Sequence, residues 1–384
     1  MPTSLHQRLA AELARREAAG TRRRLPAPPA PSLTDFSSND YLGLSRHPQV
    51  LAAVKAAAQL PAGSTGSRLL TGNSVAAEAL ETQLANFHGA EAALLFNSGY
   101  AANLGFFGAV PRRGDTIIYD EASHASVKDG IRATPATAWS FRHHDLADLE
   151  RKAARATGTV FVAVEALYSM DGDVAPLAEL AAVCQRLGLH LVVDEAHTNG
   201  LYGSRGEGLV ADLGLQEAVF ARILTFGKAL GSQGAAVAGS ALLRDYLLNF
   251  SRPFIYTTAL PPATVASLAA AYELLPELQP AREQLFQLSD YLKATLNAVP
   301  GLHVPATSHV IHPVFFTQNP GPAAVRAIAA AAQSAGFDVR AIVAPTVPAG
   351  TERLRLIVHS FNTEAEIDAL AAVLTECIGV ISTT

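Results

Sequence analysis

The chain has 384 residues, of which 49% are apolar and 16% charged, and its net charge is −5. The length passes the roughly 250–300 residues at which a single core stops growing, and the composition excludes a disordered or fibrous chain, so a two-domain globule is expected. The acidic balance argues against a nucleic-acid partner, and the basic clusters near the start, Arg15–Arg16 and Arg22–Arg24, are too small for a DNA-binding face.

The first segment, LHQRLAAELARREAAGTRRRL (5–25), carries leucines and alanines at helical spacing. It lacks the basic-then-apolar layout of a secretory signal, and no apolar run in the chain reaches the ~18 residues of a membrane span. A cytoplasmic protein without a membrane partner is expected. LPAPPAPSL (25–33) then breaks the helix because proline has no amide to donate, so residues 1–38 read as an arm and a stiff linker. From Asn39 onward short apolar runs alternate with helical patterns. Candidate strands are ALLFN (93–97), TIIYD (116–120), TVFVAVEAL (159–167), LHLVVDEA (189–196) and the run VFARIL (219–224), with helices such as APLAELAAVCQRLG (175–188) between them. Strands apolar on both faces and separated by helices argue for an α/β fold with a parallel sheet covered on two sides. This large domain is placed at 39–279. Beyond Pro261 long helical patterns take over, and a smaller C-terminal α+β domain is expected over 280–384. Its last helix opens with Thr363-Glu364-Ala365-Glu366, a capping box. Cys184 and Cys377 lie in apolar helical patterns and read as small buried hydrophobes.

Polar groups interrupt the pattern at the carboxyl ends of strands, where open α/β sheets bind their ligands. Asp194 closes LHLVV, Lys228 follows VFARILTFG, and Ser98-Gly99-Tyr100 separates ALLFN from a helical run. An ammonium costs several kcal/mol to strip of water unless it is paired or neutralised, so a lysine directly after a buried strand needs a chemical reason. A lysine there can form a Schiff base, and a carboxylate at a neighbouring strand end can hold a protonated ring nitrogen. A glycine turn at a helix N-terminus suits a phosphate, although SGY by itself is also what an ordinary tight turn contains. Pyridoxal phosphate needs all three. Arg222 stands where a P-loop needs its first glycine, and no GxGxxG follows the first strand, which argues against nucleotide and dinucleotide chemistry. His143-His144-Asp145, Asp171-Gly172-Asp173 and Asp194 with His197 do not match metal-ligand spacings; the first reads as a solvated loop, the second as a turn, and no metal is expected.

TFGKAL (225–230), VVDEAH (192–197) and SGYAAN (98–103) together resemble the α-oxoamine synthase family of fold-type-I pyridoxal-phosphate enzymes. The resemblance extends through FSSNDYLGL (36–44), GSTGSRLLTGN (63–73), FNSGYAAN (96–103), SHAS (123–126), ALYSMDGDVAPL (166–177), TFGKALGSQGAAV (225–237), IYTTALPP (255–262) and PTVPAGTERLRL (345–356). Within the family, GSTGSRLLTGN, the Gly-Ala-Ala after the lysine motif and PTVPAGTERLR are most similar to the branch that condenses L-alanine with a pimeloyl thioester in biotin biosynthesis, releasing the thiol and carbon dioxide. The sister branch that uses glycine and acetyl-CoA is the alternative. The resemblance implies a mostly parallel sheet in the large domain, a PLP-dependent acyltransferase, and a homodimer with shared active sites. The thioester carrier would be coenzyme A or acyl-carrier protein.

The resemblance also implies roles. Lys228 would hold the cofactor as a Schiff base and act in catalysis with Asp194, which pairs with the pyridine nitrogen, and His124, which stacks on the ring. His197 would reach the phenolic oxygen with Ser169 nearby, although Ser169 could equally cap a turn. Ser98, Gly99, Tyr100 and Thr225 resemble the phosphate cradle, completed by Thr258 of the partner subunit. Asn39 and Arg355 match positions at the amino-acid carboxylate, and Arg22 and Thr346 positions near the acyl substrate. Alternation in RLRL puts Arg353 on the same strand face as Arg355, so spacing alone leaves either as the carboxylate ligand. The chain departs from the family pattern in the proline- and alanine-rich stretch between Arg22 and Ser37 and at Asn199, where a small or hydroxyl residue is usual.

Overall fold

The computed structural model describes residues 4–25 and 33–381. They divide into two compact units, a larger one of residues 39–169 and 173–284 and a smaller one formed by the N-terminal residues to Ser38, 170–172 and the chain from Leu285.

The larger unit is built on a seven-stranded sheet. Its strand order is Ala92–Phe96, Ala235–Gly239, Ala221–Thr225, His190–Asp194, Val160–Glu165, Thr116–Asp120 and Thr137–Phe141. Ala235–Gly239 runs antiparallel to both neighbours, and the other pairings are parallel. The central strands bury both faces. Ile117, Phe161, Ala163, Val192 and Ile223 belong to one core cluster with Phe106 and Phe107, whereas Ile118, Val162, Val164, Leu191 and Val193 belong to another with Leu177, Leu180 and Cys184. This two-sided burial is why these strands read as unbroken apolar runs. Two strands escape the sequence pattern for physical reasons. TAWSF is an edge strand whose residues are mostly half-exposed, and AAVAG is mostly alanine and glycine, which have weak strand preference. Cys184 is buried as expected, whereas Cys377 is only partly so.

The smaller unit contains a four-stranded antiparallel sheet in the order Arg340–Ile342, Arg353–Ile357, Ile311–Phe316 and Leu302–His303. Helices Gly321–Ser334 and Glu364–Ile381 accompany it. The capping box at the second helix is present: Thr363 N donates to Glu366 Oε2 at 2.9 Å, and Glu366 N donates to Thr363 Oγ1 at 3.2 Å. Thr34–Asp35 pairs in parallel with Phe337–Asp338, which ties the chain before Ser38 to this unit. The N-terminal helix covers Leu5–Ala18, shorter than its sequence pattern, and buries no residue. Most of the expected proline linker lies outside the described residues. Among the described residues no helix is long and apolar enough to cross a membrane.

Candidate active site

Three neighbouring parallel strands of the larger unit end in carboxylates: Asp120, Glu165 and Asp194. Glu165 and Asp194 are register partners. Asp194 is 6% exposed, and its charge is held by two donors, Asn103 Nδ2 at 2.8 Å on Oδ2 and the Ala196 amide at 2.9 Å on Oδ1. Asn103 comes from the Gly99–Ala109 helix, whose N-cap is Ser98. The strand end and the helix therefore meet at this carboxylate.

Glu165 is 4% exposed and accepts the backbone N–H of His124 at 2.5 Å. Burial, and then the Asp194 charge, push its carboxyl well above the ordinary carboxylate range. His124 caps the Ala125–Arg132 helix, and its Nδ1 accepts the Ser126 N–H at 3.2 Å. A neutral ring with Nδ1 accepting carries its proton on Nε2. His124 is open to solvent on one side, yet protein crowding on the other holds it below its ordinary pKa, assisted by the Lys228 charge and opposed by Asp194. At neutral pH the imidazole is uncharged.

Lys228 follows the Ala221–Thr225 strand and is half-buried. The turn that carries it is closed by the Phe226 amide on Gly234 O, the Gly231 amide on Lys228 O and the Ser232 amide on Phe226 O, at 3.0, 2.8 and 2.9 Å. Gly231 is required there: its φ is +59°, and a Cβ would lie 2.1 Å from the Ser45 amide nitrogen. Lys228 and Asp194 both act electrostatically on His124 and on Glu165, with opposite signs. The trio of Lys228, Asp194 and His124 expected from the sequence thus lies at the carboxyl ends of interior parallel strands.

Ser98 accepts the Ala101 amide at 3.1 Å and leaves the first turn of its helix facing Thr225. A Cβ on Gly99 would lie 2.5 Å from Thr225 Oγ1, so only glycine allows this approach. Tyr100 differs from its neighbours, for its hydroxyl donates to Asp129 and its side chain is 46% exposed. Thr258 is exposed, with its carbonyl accepting Asn97 Nδ2 at 2.7 Å. Asn39 Oδ1 accepts a long 3.4 Å bond from Tyr41 Oη, which contacts His197 Nδ1 at 2.7 Å. His197 is 3% exposed. Ser169 is half-buried, four residues past Glu165. Asn199 faces the interior, where its amide donates to Tyr272 Oη at 3.2 Å.

The His143-His144 stretch is not a solvated loop. His143 donates to Asp120 Oδ1 and Asp173 Oδ2, both at 2.8 Å, and its ring stacks on His144 with centroids 3.7 Å apart. Despite the cost of burial, the two carboxylates raise His143 to about 10. Asp120, His143 and His144 have ligand-type atoms within 4.8 Å of one another, but a protonated imidazole bonded at both nitrogens has no lone pair for a metal.

In the smaller unit, the two arginines of RLRL differ in their surroundings. Arg353 is committed to Asp171 at 2.6 Å, to Thr351 O at 2.9 Å and to the face of Phe315 at 4.5 Å. Arg355 is 9% exposed, with Arg340 its register partner on the next strand. Thr346 is exposed, and Arg22 pairs with Glu17 at 3.1 Å. Sequence reasoning missed Glu165, Asn103 and Tyr41. Glu165 has the same signal as Asp194, an acid ending an apolar strand, but it lay inside TVFVAVEAL.

These residues fit pyridoxal phosphate. The glycine cradle at Thr225 would collapse on any side chain at position 99, Asp194 is a buried anion with donors on both oxygens, and an amine lies in the same field. The comparisons agree with this chemistry. The model of the family "Aminotransferase class I and II" matches residues 31–374. An 8-amino-7-oxononanoate synthase of Emericella nidulans is 42% identical over 395 residues, covering 96% of this chain and 95% of that protein. A serine palmitoyltransferase variant from S. paucimobilis with bound PLP superposes with a TM-score of 0.91 at 28% identity, covering 100% of both chains. An 8-amino-7-oxononanoate synthase from Francisella tularensis superposes at 0.79 and 25% identity, covering 91% of this chain and 99% of that one. The chain belongs to the aminotransferase class I and II family, among relatives named 8-amino-7-oxononanoate synthase.

Proposed function

We propose that the protein is a PLP-dependent acyltransferase that condenses L-alanine with a pimeloyl thioester to 8-amino-7-oxononanoate, the reaction named for the relatives that match it over 95% or more of its length. The observation that carries the chemistry is the placing of a buried Asp194 at the end of its strand and of Lys228 just past the end of the next, parallel strand. When bound, pyridoxal phosphate supplies an aldehyde for an amine and an electron sink for negative charge at Cα.

Lys228 would hold the cofactor, and its amine, once free, would take the proton from the amino-acid Cα and later return it. Asp194, a buried carboxylate, would favour the protonated form of the ring nitrogen. The overall reaction joins Cα to the acyl carbon and releases the thiol and carbon dioxide. His124, neutral with its proton on Nε2, would donate a hydrogen bond to the oxygen that becomes negative during acyl transfer. Ser98, Gly99, Tyr100 and Thr225 would receive the phosphate at the helix N-terminus, and His197 and Ser169 would orient the phenolic oxygen. Asn39 and Arg355 take the amino-acid carboxylate, and Arg22 and Thr346 the acyl substrate. The family resemblance gives this role to Arg355, while Arg353 pairs with Asp171.

The protein acts as a homodimer in the cytoplasm, with Thr258 contributing to the partner's phosphate site. Exposed apolar residues near Thr258 support this: Tyr256, two residues before it, is 72% accessible, and Leu70, three residues past the Ser67 that bridges to Thr258, is 81% accessible. Two free cysteines fit a reducing compartment. The test is thiol release with alanine, glycine or serine against pimeloyl and acetyl thioesters, the pimeloyl group on coenzyme A or acyl-carrier protein. Alanine with pimeloyl should give the highest kcat/KM by at least ~10-fold, since mismatched pocket filling costs about 1–3 kcal/mol. A preference for glycine with acetyl-CoA would overturn the reading.

A further inference from the structure

Three carboxylates end three adjacent strands, and two of them have evident partners. Asp120 has the protonated His143, and Asp194 has its two amide donors together with the ring nitrogen that the proposed function gives it. Glu165, between them, has no cation within salt-bridge distance among the described residues. The groups that face it are Asp194 from one neighbouring strand, Asp120 from the other, Lys228 from beyond the next strand, and Tyr168, whose Oη accepts the Glu165 amide at 3.3 Å. Like charges on both sides and a site closed to water favour the neutral acid. Its one resolved task is the 2.5 Å bond from the His124 amide, which joins residues 41 apart in the chain. That amide belongs to an N-cap residue in extended conformation, with φ −56° and ψ 151°, so it makes no bond within the helix that follows.

We propose that Glu165 is a positioning residue of the reaction: as an uncharged carboxyl group it holds the His124 turn against the sheet and leaves Asp194 as the only anion beside the ring nitrogen. This rests on the proposed function only in that His124 and Asp194 work on a bound cofactor. A neutral acid is sufficient because the bond to His124 needs an acceptor oxygen, which the carbonyl half of the group supplies. Ionisation would place a second negative charge near Lys228, and that charge would stabilise a positive nitrogen there.

The test uses the cofactor-loaded enzyme, Glu165→Ala and Glu165→Gln. The visible absorbance of the bound cofactor is followed from pH 6 to 10 without substrates, and kcat and KM are measured across the same range. In the parent, kcat should fall on the alkaline side as Glu165 ionises. Glu165→Ala, which removes the acceptor, should lower kcat at least ~10-fold with KM for the amino acid little changed, the size of a lost bond to a buried group. Glu165→Gln should restore most of that loss, abolish the alkaline limb, and lower the apparent pKa of the absorbance by roughly one pH unit, the scale of a partly screened charge. A glutamine variant with the parent's pH course, or one as impaired as the alanine variant, would overturn the proposal. The absorbance titration needs no acyl substrate, so failure of the alanine and pimeloyl assignment would leave this result readable.

Discussion

Replacing Asp194 by asparagine separates the charge of this residue from its shape. In the variant, the side-chain oxygen can still accept the Ala196 amide, which bonds the carboxylate at 2.9 Å. The new amide would face the Asn103 amide nitrogen, now 2.8 Å from Oδ2, and two donors cannot bond. Asn103 can solve this by turning over, because its own Oδ1 is buried without a hydrogen-bond partner. The turn would cost its 3.1 Å bond to Ser126 Oγ, about 1 kcal/mol. Folding should therefore survive. Catalysis should not, because a hydrogen bond to a charged group is worth about 1.5–3 kcal/mol and the upper end applies to a residue only 6% exposed. A loss near 3 kcal/mol is roughly 10²-fold in kcat. The assay is thiol release at saturating alanine and pimeloyl thioester, with cofactor content read from absorbance and stability from thermal unfolding. If the variant binds cofactor and retains kcat within about threefold of the parent, the assignment of Asp194 to the ring nitrogen is refuted.

Two further substitutions probe the scaffold beneath the site. Arg222, 3% exposed, bonds Glu195 at 2.6 Å and the carbonyls of His88 and Glu207 at 2.7 Å each, so Arg222→Met should cost about 3–5 kcal/mol in urea unfolding by stranding a buried carboxylate; a loss below about 1 kcal/mol would show that Glu195 is relieved in some other way. His143 is raised from 6.5 to about 10, so its contribution to stability is complete below about 6.5 and fades as pH climbs to about 10. Discounted for its partial exposure, that contribution is of order 2 kcal/mol. Calorimetric Tm should fall over this window in the parent and stay flatter in His143→Gln, and parallel slopes would contradict the ion-bridge account.

The site was legible where its chemistry interrupts a local pattern. Asp194 and Lys228 stand out because each follows an apolar run that must be buried, and a charge at such a place violates desolvation unless it works. The capping box at Thr363 was readable for the same reason, since its partners are three residues apart. The edge strand TAWSF was not, because half-exposed strands lack the apolar signal.

Chain order by itself determined the strand and helix periods, the placing of reactive groups at strand ends, and the family resemblance. Only tertiary structure decided which polar residues are spent on one another. His143 looked like a loop residue until the fold set Asp120 and Asp173, 23 and 30 residues away, on either side of its ring. Arg353 and Arg355 are equivalent by alternation, and the difference is that the fold places Asp171 and Phe315 against the first. Glu165 reads as one more strand residue until Asp194 falls in register with it. The energies of these groups depend on distance and dielectric, and neither is a local property of the chain.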